Sequence, residues 1–545
     1  MSTYSQWHHP YDYHHEYSKR VAYFSMEFAI DQALKIYSGG LGFLAGSHMR
    51  SAFELKQNLI GVGMLWKFGY YDQQRSEDNS LRVTWTEKRY SFLEDTGITV
   101  KIRILDNPNV HVRAYCLKPE TFGSVPIYLL STDLPENDHL TRTITDKLYD
   151  NNELTRQAQS IVLGIGGAKV VEALGGSDIY HLNEGHGLPA FFHLKEQGKT
   201  KDNFVFTTHT PEKAGNEERD IKFLNEMGFF AKELDATELS QHEHNGMLSY
   251  TVAALRKAKI SNAVSKLHST VAKDMWSSFN GISDIIPITN AQNRNYWQDA
   301  EIKQAVDNGD LSALKLRKRE LKEQLFARIL DETGKFFDPD VLTIVWARRF
   351  AGYKRADLLL YLKEQFNQLV SRTDKPVQII WAGKPYPLDY GSVELFNHLI
   401  HLTKPMANCT VLTGYELALS KLLKQGSDIW LNTPRVTREA SGTSGMTAAM
   451  NGSVNVSTND GWMPEFARDN ENSFITPQAD LSRPQHEIDH EDANNLYTVL
   501  NDKVLPTYYD DPGRWWYVAR NSAADVVPQF DSHRMADQYY KEMFN

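Results

Sequence analysis

Cysteine is nearly missing from this sequence, with Cys116 and Cys409 the only two in 545 residues. Two thiols cannot build a disulfide framework or a cysteine metal site, and their scarcity suits a reducing compartment. Long apolar runs are missing too. Nothing reaches the roughly 18 uncharged apolar residues of a spanning helix, and the start, MSTYSQWHHPYDYHHEYSKR, lacks the apolar centre of a signal peptide. A cytoplasmic chain that does not enter a membrane is therefore expected. Positive charge is in deficit, with 59 Lys and Arg against 69 Asp and Glu, so nothing in the balance attracts nucleic acid or an anionic bilayer. No internal repeat, low-complexity linker or ligand set typical of a metal enzyme shows. His8, His9, His14 and His15 crowd the N-terminus, where adventitious metal binding competes with the reading adopted here, an unfixed polar arm.

What is present is enough apolar content, 41% of the chain, for two substantial cores. The abundant aromatics suit stacking on sugar faces, but a large core accounts for them equally well. Short apolar runs alternate with amphipathic stretches throughout. Residues 20–28 (RVAYFSMEF), 178–182 (DIYHL), 203–208 (NFVFTT), 341–347 (VLTIVWA), 377–382 (VQIIWA), 410–412 (TVL) and 428–431 (DIWL) read as buried strands. Strands alternating with helices imply parallel α/β sheets in both halves, which bind ligands beyond the carboxyl ends of their strands. The charged stretch 311–328 reads as a helix with a solvated face near the junction of the halves, with no functional role.

The loops after those strands carry the chemistry. RRFAGYKRAD places Arg348, Arg349, Lys354 and Arg355 where a helix is about to begin, and cations with free backbone N–H groups hold phosphate well. A solvated basic helix start is the plainer alternative. Residues 439–452 (EASGTSGMTAAMNG) form a small-residue loop running into a helix, which offers consecutive N–H donors and hydroxyls to an anion, while Glu439 can accept from sugar hydroxyls. A merely structural turn is the alternative there. YSGGLGFLAGSH at 37–48 fits a G-x-G-x-x-A dinucleotide pattern. However, its strand ends roughly ten residues too early, and Lys67 follows the next run where a ribose-binding acid belongs. A glycine turn receiving phosphate or sugar is preferred. HLNEGHG at 181–187 and FTTHTPEKAGNE at 206–217 bring His186 and His209 to strand ends. A lone histidine there is commonly structural, but these two join several loops facing one crevice.

In order and over nearly the whole chain, AYFSMEF, YSGGLG, HLNEGHG, TTHTP, SNAVSKLH, WARRFAGYKRA, WAGKPYP, WLNTP and EASGTSGM resemble the α-glucan (glycogen, maltodextrin) phosphorylases in a short form. The resemblance implies a GT-B fold, two Rossmann-like domains facing across a cleft. Residues 1–275 would form the first domain, 276–510 the second, and 511–545 a C-terminal helix returning to the first. It implies reversible, retaining transfer of α-1,4-linked glucose between a glucan end and orthophosphate, giving glucose 1-phosphate. A glucan and phosphate, or a phosphorylated sugar, are the implied partners, and a homodimer is compatible.

Carried over by motif, His209, Asn262, Glu439, Ser441 and Gly442 would hold the glucosyl unit, with the His209 carbonyl facing the anomeric carbon. Arg349, Lys354 and the Gly39-Gly40 turn would hold the substrate phosphate, and Arg348, Tyr415 and Thr443 would line the cofactor pocket. Thr447 departs from the pattern, because the family's pyridoxal phosphate lysine belongs there, so no Schiff base can form at that position. The second glutamate of nucleotide-sugar GT-B enzymes would also fall at Thr447, and TNAQNRNYW at 289–297 departs from the family's TNG start. Three readings follow: a phosphorylase holding pyridoxal phosphate without a covalent bond, a transferase using a nucleotide sugar or other phosphorylated donor, and an inactive glucan-binding protein.

Overall fold

The apolar runs become strands buried on both faces. In the computed structural model, which describes residues 4–212 and 215–545, two compact units form. The first comprises residues 1–71, 85–290 and 532–545, and the second comprises residues 72–84 and 291–531. The divisions fall at 290/291 and 531/532, against the expected 275/276 and 510/511. The reason lies in local bonding: Ile288 and Asn290 still donate to Ala263 and Val264, while Trp515 and Val518 pack in the second unit's core. Lys213 and Ala214 of the FTTHTPEKAGNE segment lie outside the described residues. Among those described, no helix is long and apolar enough to cross a membrane.

The first unit holds a nine-stranded sheet of β1 (Val21–Phe24), β2 (Leu59–Met64), β3 (Glu94–Ile104), β4 (Asn107–Leu117), β5 (Ile127–Ser131), β6 (Ile179–Asn183), β7 (Phe204–Thr208), β8 (Ile260–Ala263) and β9 (Ile285–Pro287). Their order is β9-β8-β7-β6-β1-β2-β5-β4-β3. β1 pairs in parallel with both β2 and β6, so the chain winds away from it in two directions. The expectation of parallel strands throughout is corrected at one edge, where β3 and β4 run antiparallel. There burial alternates along the strand, so one face stays wet, which only an antiparallel edge tolerates. Helix α1 (Gly40–Glu54) follows the glycine turn. The N-terminal segment is fastened and not an unfixed arm: His9 Nε2 meets the Leu59 carbonyl at 2.9 Å, and Tyr11 donates to the Gln57 carbonyl.

The second unit is a six-stranded, wholly parallel sheet of β10 (Leu342–Ala347), β11 (Val377–Ala382), β12 (Cys409–Leu412), β13 (Ile429–Asn432), β14 (Val454–Ser457) and β15 (Ser473–Ile475). Its order, β12-β11-β10-β13-β14-β15, is the doubly wound 3-2-1-4-5-6 pattern. Period-two alternation builds two cores from one strand. Ile344 and Trp346 face a cluster with Phe396, Leu496 and Trp515, whereas Val345 and Ala347 face Leu325, Leu419 and Ala448. Helices α2 (Leu311–Thr333), α3 (Leu417–Gly426) and α4 (Thr443–Met450) supply the second of these. The charged run within α2 is not wholly solvated: Lys318 and Lys322 are buried, Lys318 on the Gln425 and Ser427 carbonyls at 2.7 Å each, Lys322 on Asp428 at 2.6 Å.

Candidate active site

In the second unit β10 sits between β11 and β13. The loops leaving β10 and β13 therefore diverge and open a crevice at their carboxyl ends. The first delivers Arg348 and Lys354, the second Glu439. Lys354 Nζ donates to Glu439 Oε2 at 2.6 Å, and Arg348 Nη2 donates to the same oxygen at 3.1 Å. Burial pushes the Glu439 pKa up, but the charges of Lys354 and Arg348 outweigh it and hold the carboxylate below its ordinary range.

Four donors beside this pair are buried without a hydrogen-bond partner: Arg348 Nε and Nη1, Ser441 Oγ and Ser444 Oγ. Leaving such a group unsatisfied costs about 1–3 kcal/mol, and more for a charged one. Two guanidinium N–H groups and two hydroxyls at the start of α4 are a donor set that a phosphate oxygen face can satisfy. The loop that carries these groups is held in place. Asp460, whose burial raises its pKa to about 6, accepts from the backbone N–H groups of Arg438, Glu439 and Gly461 at 3.1, 2.9 and 2.8 Å. Gly442 has φ 92°, and a Cβ there would sit 3.5 Å from Trp462 and 3.7 Å from Arg348 Nη2. At Gly461 a Cβ would overlap the Ser441 carbonyl oxygen.

The remaining sequence candidates of this unit divide. Arg349 is exposed, yet its charge contributes to lowering the Glu439 pKa. Arg355, read as part of the anion site, is instead committed inward, bonding Asp492 at 2.7 Å, Asp489 at 3.0 Å and the Thr433 carbonyl at 2.8 Å. Its left-handed backbone, φ 49°, turns it away from its neighbours. Tyr415 is buried with its hydroxyl on the Ala347 carbonyl at 3.3 Å. Its backbone N–H is held by Gln73 Oε1 at 3.1 Å, and Gln73 Nε2 reaches the Gly383 carbonyl at 2.8 Å. Gln73 belongs to the hairpin of Asp72–Arg75 and Leu81–Thr84, which no local pattern assigned to this unit. Thr443 opens α4, and Thr447, one turn on, donates back to the Ser444 carbonyl at 3.1 Å. It is buried and brings no amine.

In the first unit the switch lies between β1 and β6. The Ser38 and Gly39 N–H groups are already taken by Glu27 Oε2, at 2.6 and 3.1 Å, and Tyr149 donates to Oε1 at 2.7 Å. A Cβ at Gly39 or Gly40 would meet nothing within 4 Å, so the turn is open to a ligand on its outer side. His209 Nε2 meets Asn183 Oδ1 at 2.6 Å, while its backbone N–H donates to Glu184 Oε2 at 2.9 Å. Asn183 Nδ2 donates to Ser25 Oγ, so Oδ1 is the acceptor and His209 carries its proton on Nε2. Burial, then the neighbouring His268 and His186, depress the His209 pKa to about 3. Asn262 is enclosed, with its Oδ1 accepting from Thr207 at 2.6 Å.

His186 Nδ1, Thr208 Oγ1 and Asn290 Oδ1 are buried without a partner. Asn290 and Thr208 were not singled out from sequence. The signal lay in TTHTP and TNA, each following an apolar run, but only the fold brings both to one sheet end. Among the described residues no group of three or more His, Cys, Asp or Glu is placed to hold a metal ion.

Strand-end cations and hydroxyls in the second unit, and a histidine-rich strand end in the first, give each unit of this α/β protein a cluster of polar groups beyond its parallel strands. The model of the carbohydrate phosphorylase family matches residues 287–476. A maltodextrin phosphorylase of Thermococcus litoralis is 33% identical over 97% of this chain and 71% of its own length. A glycogen phosphorylase of Mycobacterium tuberculosis is 30% identical over 96% of this chain and 70% of its own. An uncharacterized protein of Methanocaldococcus jannaschii is 47% identical over 96% of this chain and all of its own length. The chain belongs to the carbohydrate phosphorylase family, which implies a glycosyltransferase-type enzyme.

Proposed function

We propose that this protein is a retaining glucosyltransferase that moves α-1,4-linked glucose between the non-reducing end of a glucan and orthophosphate, giving glucose 1-phosphate. The observation that carries the reading is the buried, unsatisfied donor set of Arg348, Ser441 and Ser444 around the Lys354–Glu439 pair. A protein that only held glucan has no use for buried cations with empty N–H groups, which argues against the inactive reading. Lys354 and Arg349 bind the substrate phosphate, Glu439, Ser441, Gly442, His209 and Asn262 the glucosyl unit, and the Gly39-Gly40 turn contributes from its open side. An oxocarbenium-like transition state is stabilised by fixed dipoles and charges that need no reorganisation. The GT-B arrangement, with two Rossmann-like domains facing across a cleft, belongs to the same proposal and rests on family membership, as does a cytoplasmic location.

Pyridoxal phosphate fits this chain in part. Arg348, with Thr443 and Ser444 at the start of α4, suits its phosphate, and Tyr415 lies beside them, but Thr447 cannot bond its aldehyde. When bound, the group supplies a second phosphate that exchanges a proton with the substrate phosphate. The test is phosphorolysis of a maltooligosaccharide by the purified protein, with and without added pyridoxal phosphate, read as glucose 1-phosphate formed. Release only with orthophosphate present supports the reading. Absence of product under both conditions, together with a thermal shift by a nucleotide diphosphate sugar, would overturn it in favour of a nucleotide-sugar donor.

A further inference from the structure

One side chain from far earlier in the sequence holds the loops that flank Arg348. Gln73 lies on the hairpin of Asp72–Arg75 and Leu81–Thr84, which belongs to the second unit although residues 71 and 85 on either side of it belong to the first. The hairpin is anchored independently of Gln73. Arg75 pairs with Glu332 at 3.1 Å and donates to the Val411 carbonyl, and the Leu81 N–H donates to Asn397 Oδ1 at 2.8 Å.

Gln73 is buried, and its amide is directed to the loops after β11 and β12. Its Oε1 accepts from the Gly414 and Tyr415 N–H groups at 3.1 Å each, and its Nε2 donates to the Gly383 carbonyl at 2.8 Å. Both loops bear on the end of β10. Gly383 has φ 147°, and a Cβ there would lie 1.9 Å from the Arg348 carbonyl oxygen, so the two backbones rest directly against each other. The Arg348 N–H donates to the Ala382 carbonyl at 3.2 Å. From the other loop the Tyr415 hydroxyl donates to the carbonyl of Ala347, the residue before Arg348, at 3.3 Å, and accepts from Ser420 Oγ at 3.2 Å. One amide therefore fixes both supports of the strand end from which Arg348 projects. The Arg348 guanidinium keeps Nε and Nη1 buried and without partners, and such a fork grips an anion well only when its base is held in register.

We propose that Gln73 is a positioning residue: by bonding the loops after β11 and β12 it sets the base of Arg348, and with it the affinity of the site for a phosphate group. The inference rests on the functional reading above. Gln73 acts through the backbones of Gly383 and Tyr415 and not by contact with the ligand.

The full-length protein is titrated calorimetrically with orthophosphate, with pyridoxal 5′-phosphate and with a maltooligosaccharide. Gln73→Met keeps the length of the side chain while removing all three hydrogen bonds, and its melting curve checks folding. Should that variant not fold, Gln73→Asn, which withdraws the amide by one methylene, decides. Binding of orthophosphate or pyridoxal 5′-phosphate is expected to weaken about tenfold, the equivalent of one lost hydrogen bond. The anion that weakens is the one whose phosphate Arg348 holds. Maltooligosaccharide affinity is expected to stay as in the wild type, since Lys354 holds Glu439 independently. Unchanged affinity for both anions, maltooligosaccharide affinity that falls in parallel, or a wild type that binds neither anion overturns the inference. Wild-type phosphorolysis with unchanged anion affinity in Gln73→Met sinks this inference and leaves the functional reading standing; weakened anion binding in the variant of a wild type that forms no glucose 1-phosphate does the reverse.

Discussion

At Glu439 burial and charge oppose one another, and charge prevails because two cations share one carboxylate oxygen. Removing the carboxylate leaves Lys354 and Arg348 buried and uncompensated. Glu439→Gln is expected to destabilise the protein by about 3–5 kcal/mol, with part recovered on adding orthophosphate. Urea denaturation with and without phosphate checks this, and superimposable wild-type and variant curves would show these charges to be solvated. His48 is a second isolated case. Both ring nitrogens are buried without partners, and burial lowers its pKa to about 3. The unfolded chain takes up a proton as pH falls through about 6.5, whereas the folded chain does not until about 3. The neutral ring's stability is thus present above pH 6.5 and lost as pH falls toward 3, by up to about 1.4 kcal/mol per pH unit. His48→Phe should flatten the fall in urea midpoint between pH 7 and 5, and an unchanged slope would assign that fall to other groups.

At the scale of elements, the loop between β13 and α4 depends on one backbone conformation. Gly442 caps α4 in the left-handed region, where a side chain costs about 1–2 kcal/mol. Gly442→Ala should lower the melting temperature by that equivalent and weaken orthophosphate binding further, since Glu439, three residues earlier on the same loop, holds the Lys354 ammonium in place. Calorimetric titration with phosphate separates the two effects, and unaltered phosphate affinity would disconnect the loop from anion binding. Strands of this kind were legible because a strand buried on both faces reads as a continuous apolar run. The seven segments read as strands begin or end within a few residues of β1, β6, β7, β10, β11, β12 and β13. The antiparallel edge of β3 and β4 escaped, because its mixed polar pattern imitates a loop.

For the whole molecule, chain order and spatial order differ. Residues 532–545 close the first unit: Gln57 donates to the Ala536 carbonyl, Tyr17 to Asp537, and Lys19 to the Phe544 carbonyl. Met535, Tyr539, Tyr540, Met543 and Phe544 are buried there. At about 1.5–3 kcal/mol for each large apolar side chain, their loss rivals the 5–15 kcal/mol that stabilises a domain. Deleting residues 532–545 should unfold the first unit, measured as lost amide protection in β1, β6 and β7 by hydrogen exchange. Native-like protection in the truncated chain would contradict that.

Local composition was enough to determine the alternating α/β framework, the strand ends that carry the motifs, and the impossibility of a Schiff base at Thr447, since each depends on neighbouring residues or on one side chain's chemistry. Tertiary structure alone decided which charges act outward. Arg348 keeps two empty donors while Arg355, seven residues later, is spent on Asp489 and Asp492. Glu27 fills the N–H groups of a turn that sequence left open to a ligand. Lys424 meets Trp297 across more than a hundred residues. Burial and charge pairing are set by partners distant along the chain, and no local pattern of residues encodes them.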